Sequence, residues 1–186
     1  MTSHSDAVVL IGPMGAGKTS IGRRVAKALQ RPFFDTDIAI VREHGPIEVL
    51  FREQGEAHFR ALEREAVRAG LETGGIVSLG GGAVLHPDTR ADLDARRVVL
   101  LTVEPAVVAG RVRESARPLL QDEDPLARWT QIYADRRPLY EELADLTIDT
   151  SHGPLQLVVD AIVEWTLRTD RQEDECDALS DRREPK

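Results

Sequence analysis

One stretch limits what this chain can fold into more than any other: Gly12-Pro13-Met14-Gly15-Ala16-Gly17-Lys18-Thr19. It fits the pattern G-x-x-x-x-G-K-S/T. Ala7 to Ile11, just before it, is apolar and rich in β-branched residues. Behind it, Ile21, Val25, Ala28 and Leu29 recur at helical spacing. A buried strand, a glycine turn and a helix start are the context in which this pattern means a P-loop. The glycines let the backbone curl so that several N–H groups face one concavity. The first helical turn adds its orphan donors and the positive end of its dipole. Such a nest suits the β-phosphate of a nucleotide. Lys18 reaches the β- and γ-phosphates as a point charge, and Thr19 offers a hydroxyl to Mg²⁺. The bland alternative is a glycine-rich turn with one exposed lysine. The chain has only three lysines, Lys18, Lys27 and Lys186. A chance match in such a chain comes to roughly one in several hundred, and the strand–helix context makes it rarer.

A length of 186 residues favours a single domain with enough chain for a sizeable core. The single cysteine, Cys176, excludes a disulfide framework and a Cys-His metal cluster. The polar residues 1–6 carry no leader signal, and no apolar run approaches the ~20 residues that span a bilayer. A cytoplasmic location with no membrane partner is therefore expected. The net charge of −8 argues against a general nucleic-acid binder. Residues 170–186 hold seven acids and four bases, which leaves −5 for residues 1–169.

Strand signals recur at Phe33-Phe34, Ile76 to Leu79, Val98 to Val103 and Leu146 to Asp149. Helical patterns separate them. One resumes at Ile38, breaks at Gly45-Pro46, and restarts at Gly55 with Phe59, Leu62, Ala66 and Ala69 on one face. Others begin at Pro87 and after Glu104. A further one carries Trp129, Ile132, Tyr133 and Tyr140, where Pro138 is expected to kink or interrupt it. The last, from Pro154 to Leu167, turns Leu157, Val158, Ala161, Ile162 and Trp165 inward. The stretch 111–124 is charged, lacks an apolar face and reads as a mobile loop or lid. The tail 170–186 is acidic, nearly free of apolar residues and expected to be disordered. Alternating strands and helices predict an α/β fold, a central parallel sheet with helices on both faces. Ligands of such sheets bind beyond the carboxyl ends of the strands. The P-loop, Asp35-Thr36-Asp37 and Gly80-Gly81-Gly82 are the informative strand exits, expected on one rim.

With GPMGAGKT come FFDTD, GEAHFRALE, LGGGAV, ARPLL and the RRPLY segment from Arg136, in that order. Together they resemble the shikimate kinases, small P-loop kinases of the nucleoside-monophosphate-kinase type, over residues 7–168. The resemblance implies a three-layer α/β/α kinase domain at residues 1–169 with about five strands, in the order 2-3-1-4-5. It also implies a lid at about 111–124 and an acceptor-binding segment at about 35–62. Its implied activity is transfer of the γ-phosphoryl of ATP to the 3-hydroxyl of shikimate, in the chorismate route to aromatic amino acids. ATP and shikimate are the implied partners, Mg²⁺ the implied cofactor, and a monomer the expected state.

The resemblance also assigns roles. ATP falls to Gly15, Ala16, Gly17, Lys18, Thr19, Ser20, Arg111 and Arg117, with Arg117 swinging over the phosphates from the lid. Lys18, Asp37 and Arg117 are implied as catalytic, Asp37 accepting the proton of the attacking hydroxyl. Shikimate falls to Asp37, Arg60, Gly81, Gly82 and Arg136. Guanidinium pairs bidentately with carboxylate, and a glycine lets the backbone approach a ring. Thr19 and Asp35 are implied at the metal. Each has an ordinary alternative. Arg60 lies four residues after Glu56 and three before Glu63, as on any solvated helix face. Asp35 and Asp37 suit a helix cap as well as catalysis. Composition does not choose between Arg136 and Arg137; only the register of R-x-P-L-Y selects Arg136. A gluconate or nucleoside-monophosphate kinase and a nucleotide-binding module without turnover are the rival functions.

Overall fold

In the computed structural model, which describes residues 7–113 and 124–181, the apolar run before the glycines is strand β1 (Val8–Ile11) and the helix behind them is α1 (Lys18–Leu29). Every β1 residue is at most 1% exposed, as in a strand covered on both faces. The chain leaves β1 through Gly12, whose φ of 134° and whose approach to the Leu101 carbonyl leave no room for a side chain. Next come β2 (Phe33–Asp35), α2 (Thr36–His44), α3 (Ile47–Thr73), β3 (Ile76–Ser78) and a short 3₁₀ turn at Ala83–Leu85. Then follow α4 (Pro87–Leu93), β4 (Arg97–Thr102), α5 (Pro105–Arg113), α6 (Pro125–Leu143), β5 (Leu146–Asp149) and α7 (Leu155–Asp181).

The strands form one five-stranded sheet in the order β2-β3-β1-β4-β5, and every pairing is parallel. This is the strand order that the sequence resemblance implies. The alternation along β1 builds the three layers. Val8 and Leu10 pack with Ile21 and Val25 of α1 and Val159 and Ile162 of α7. Val9 and Ile11 pack on the other face with Val67 and Leu71 of α3. Because β1, β2 and β3 are parallel and in register, Gly12, Asp35 and Leu79 leave the sheet along one rim.

Helix α3 bends at Gly55, whose φ of 81° interrupts the helical run where the sequence pattern restarts. Helix α6 runs through Pro138 without breaking. Burial of Trp129, Ile132, Arg136 and Tyr140 along one face offsets the hydrogen bond that proline cannot donate. Of the expected lid, Arg111 to Arg113 lie in α5 and residues 114–123 fall outside the described residues.

Two expectations are corrected. Leu157 and Ala161, both expected inward, are exposed, Leu157 to 64%. The tail expected to be disordered from residue 170 is helical as far as Asp181. No glycine or proline interrupts that stretch, and its first residue is anchored. Asp170 accepts from Arg31 at 2.8 Å and also pairs with the buried Arg97, tying α7 to the entrances of β2 and β4. Residues 182–186 lie outside the described residues.

Candidate active site

Two cavities open side by side along the sheet rim. The first, of about 370 Å³, is floored by Gly15, Gly17, Lys18, Thr19 and Ser20 and reaches Asp35. Lys18 donates to the carbonyls of Gly12 and Pro13 at 2.7 and 2.9 Å, so its ammonium lies against the loop it belongs to. Gly17, at φ 86°, precedes the first residue of α1, so that helix N-terminus faces the cavity. Ala16 does not line it: the side chain is buried, and its carbonyl accepts from Thr150 at 3.1 Å. The Thr19 hydroxyl donates to Asp35 Oδ2 at 2.7 Å. The other oxygen of Asp35 accepts the Ile38 N–H at 3.1 Å and caps α2. Asp35 thus does both things its sequence position allows, capping a helix and facing the phosphate nest. Asp37 sits one residue into α2 and makes no such cap.

The second cavity, of about 300 Å³, lies between the rim, α2 and α3 and is lined by Asp37, Arg60, Glu63, Gly81, Gly82 and Arg136 among others. Arg60 pairs with Glu63 at 2.6 Å and Glu56 at 2.9 Å. The ordinary helix-face pairing is therefore real, yet the same guanidinium reaches the cavity wall. Burial works against its charge; Glu63 and Glu56 outweigh this and hold its pKa above the usual arginine value. Glu63 is 3% exposed, and burial pushes its carboxyl above the ordinary range, with Arg60 pulling in the opposite sense. A Cβ at Gly82 would fall 2.1 Å from Arg60 Nη1, so that glycine is what lets the guanidinium lie flat against the turn.

The structure separates the two adjacent arginines of α6. Arg136 is 8% exposed, lines the cavity and donates to the Gly81 carbonyl at 3.0 Å. Arg137 points to solvent and pairs with Glu141 at 2.7 Å. Helical geometry turns neighbours about a quarter-turn apart, so only one of them can face inward.

Asp37, Met14 and Gly81 line both cavities. The sequence reading singled out Asp37 and Gly81 but not Met14, which occupies a free position of the P-loop pattern. It also missed Phe51 and placed Phe59 only on the apolar face of a helix. Their rings meet at 4.7 Å between centroids and form the apolar wall of the second cavity. Glu48 lines that cavity too; it is a single carboxylate within the apolar run Ile47 to Phe51, and no motif marks it beforehand. Arg111 lies in α5. Arg117 lies outside the described residues. His86 accepts from the Asp88 N–H as a cap of α4, a structural role. Among the described residues no group of three His, Cys, Asp or Glu side chains is placed to hold a metal by itself. Nor is any helix among them long and apolar enough to cross a membrane.

The sequence model of the shikimate kinase family matches residues 14–167. The shikimate kinase of Thermobifida fusca is 49% identical over 156 residues, covering 82% of this chain and 90% of that protein. Among solved structures, shikimate kinase from Acinetobacter baumannii in complex with shikimate superposes with a TM-score of 0.83 at 34% identity, over 89% of this chain and 94% of that one. A gluconokinase from Sinorhizobium meliloti superposes with a TM-score of 0.59 at 19% identity, a likeness of fold alone.

Proposed function

The chain belongs to the shikimate kinase family, and on that premise we propose that it transfers the γ-phosphoryl group of ATP to the 3-hydroxyl of shikimate. The products are shikimate 3-phosphate and ADP, in the route to chorismate and the aromatic amino acids. One observation supports this most: the phosphate nest and the arginine-lined cavity share Asp37, Met14 and Gly81 as their common wall. A nucleotide on one side and a hydroxylated carboxylate on the other would meet at Asp37.

The roles proposed for the residues are those the family resemblance implies, and the geometry supports them. Arg60 and Arg136 take the carboxylate of shikimate, each already oriented by a fixed partner, Glu63 for one and the Gly81 carbonyl for the other. The Phe51–Phe59 wall covers the ring. Asp37 orients the 3-hydroxyl and accepts its proton as that oxygen bonds to phosphorus. The bond from the γ-phosphorus to the β,γ-bridging oxygen breaks, and ADP leaves with the electron pair. Lys18 exchanges its loop carbonyls for the β- and γ-phosphates and neutralises the charge that develops. Thr19 and Asp35 present hard oxygen donors 2.7 Å apart beside the nest, a donor set that suits Mg²⁺. Held by Thr19 and Asp35, such an ion would supply charge neutralisation for the phosphates. Arg117 is assigned to close over the phosphates and Arg111 to the adenine side, with residues 111–124 as the lid and 1–169 as the kinase domain. A monomer in the cytoplasm completes the proposal.

The test is an assay of purified protein with ATP and Mg²⁺, offering shikimate and gluconate in parallel. Shikimate is expected to be phosphorylated and gluconate not. Asp37→Asn is expected to lower turnover by about 10²-fold or more while ATP still binds. Phosphorylation of gluconate alone would transfer the assignment to the polyol-acid kinases. ATP binding with no turnover on either acid would leave only a nucleotide-binding module.

A further inference from the structure

Met14 and Gly81 stand in the partition between the two cavities, and one helix holds the main-chain carbonyl of each. From α6, the Trp129 indole N–H donates to the Met14 oxygen at 2.9 Å. The Tyr140 hydroxyl donates to the Gly81 oxygen, beside the bond from Arg136. Trp129 and Tyr140 are each 1% exposed, so water does not compete for either bond. The Tyr133 ring lies between theirs, with centroids 5.2 Å from Trp129 and 6.4 Å from Tyr140, and joins the two donors in one aromatic row. Neither donor lines the nucleotide cavity or the acceptor cavity.

We propose that Trp129 and Tyr140 are positioning residues for phosphoryl transfer, through which α6 holds the Met14 and Gly81 walls at the separation that in-line attack requires. The inference rests on the kinase reading above. In-line transfer tolerates little error in the distance between acceptor oxygen and phosphorus, and a displacement of about 1 Å can cost ~10²-fold in rate. The glycine part of this wall has no rotamer with which to correct itself. Its carbonyl must be held from behind, by groups that stay fixed when ligands enter. The Gly81 oxygen is held by a neutral phenol as well as by Arg136. When Arg136 turns toward a carboxylate, the phenol keeps the wall in place.

Tyr140→Phe and Trp129→Phe each keep a buried aromatic ring and delete one donor. Steady-state kinetics are measured with both substrates, together with ATP hydrolysis in the absence of shikimate. Each variant is expected to lose about tenfold or more in kcat, with the KM for ATP within about twofold of the parent. The ratio of transfer to hydrolysis should fall, because water needs no positioned acceptor wall. Tyr133→Phe, which removes a hydroxyl on the same helix that bonds to neither carbonyl, is expected to leave kcat and that ratio unchanged. Folded Tyr140→Phe and Trp129→Phe proteins with parental kcat and an unchanged ratio overturn the inference. A lower melting temperature alone, with kinetics intact, overturns it equally. If the parent protein proves to prefer another hydroxy acid, the acceptor assignment fails, and the same variants read with that acid still decide the positioning role.

Discussion

At Gly82 the absence of a single atom places a charge. A methyl there would need the space of Arg60 Nη1 and Cζ, at 2.1 and 2.7 Å. Those atoms are the end of a flexible side chain, so Gly82→Ala should displace the guanidinium rather than unfold the protein. The expected result is a rise in shikimate KM of about tenfold or more, with melting temperature within a few degrees of the parent. Loss of ATP affinity with shikimate KM unchanged would contradict it. Tyr140 sets a second residue-scale expectation. Burial pushes its phenol from 10.0 up to about 12, with Arg136 pulling in the opposite sense. The unfolded chain therefore releases this proton first, and native stability falls as pH rises from about 10 toward about 12. The full effect is about 2–3 kcal/mol. Thermal melts across that range should show a shallower loss of stability for Tyr140→Phe than for the parent; parallel curves would exclude the phenol as the cause. At this scale the sequence shows which residue types are present but not which way they face. Arg136 and Arg137 are chemically identical, and only the inward face of α6 distinguishes them.

Among the elements, helix α3 shows how packing overrides propensity. Gly70 lies inside it, where alanine would favour the helix by about 1 kcal/mol. A Cβ at Gly70, however, would stand 2.8 Å from the Phe34 ring and 3.0 Å from Val77 Cγ1. Val77 is fully buried in β3 and has nowhere to go. Overpacking of this kind costs about 1–3 kcal/mol, so Gly70→Ala should be destabilising on balance. Denaturant titration is the measurement, and a variant more stable than the parent would show that α3 can lift from the sheet. The elements themselves were legible. β1 is an unbroken apolar run, β4 carries one from Val98 to Leu101, β3 centres on Ile76 and Val77, and the restart at Gly55 stands in the periodicity. Two features were not legible. The continuation of α7 depends on Asp170 meeting Arg31 and Arg97, partners 139 and 73 residues away in sequence. The integrity of α6 across Pro138 depends on burial of the face that carries Trp129, Ile132, Arg136 and Tyr140, which local propensity does not contain.

The whole molecule divides its work between the two rims of one parallel sheet. Parallel strands bring Gly12, Asp35 and Leu79 out on the same side, and both cavities open there. The opposite rim, where β2 and β4 enter, is closed by one carboxylate. Asp170 of α7 pairs with Arg31, just after α1, and with Arg97, the first residue of β4. Arg97 is 7% exposed, and its Nε and Nη2 have no hydrogen-bond partner. Its charge in the interior is therefore offset chiefly by Asp170. Removing one partner of a buried pair leaves the other uncompensated, at about 3–5 kcal/mol for a fully buried pair. The Asp170 side chain is 23% exposed, so water can reach the vacated position and about 1–3 kcal/mol is the reasonable scale for Asp170→Asn. For a chain of this size that lowers the melting temperature by about 3–10 °C. Because the pair stands at the rim away from the cavities, kcat and both KM values below the transition should stay within about twofold of the parent. A variant that melts with the parent would mean that Arg97 finds another counter-charge. One that keeps its melting temperature but loses turnover would mean that α7 couples the two rims, through its packing against α1 behind the phosphate nest.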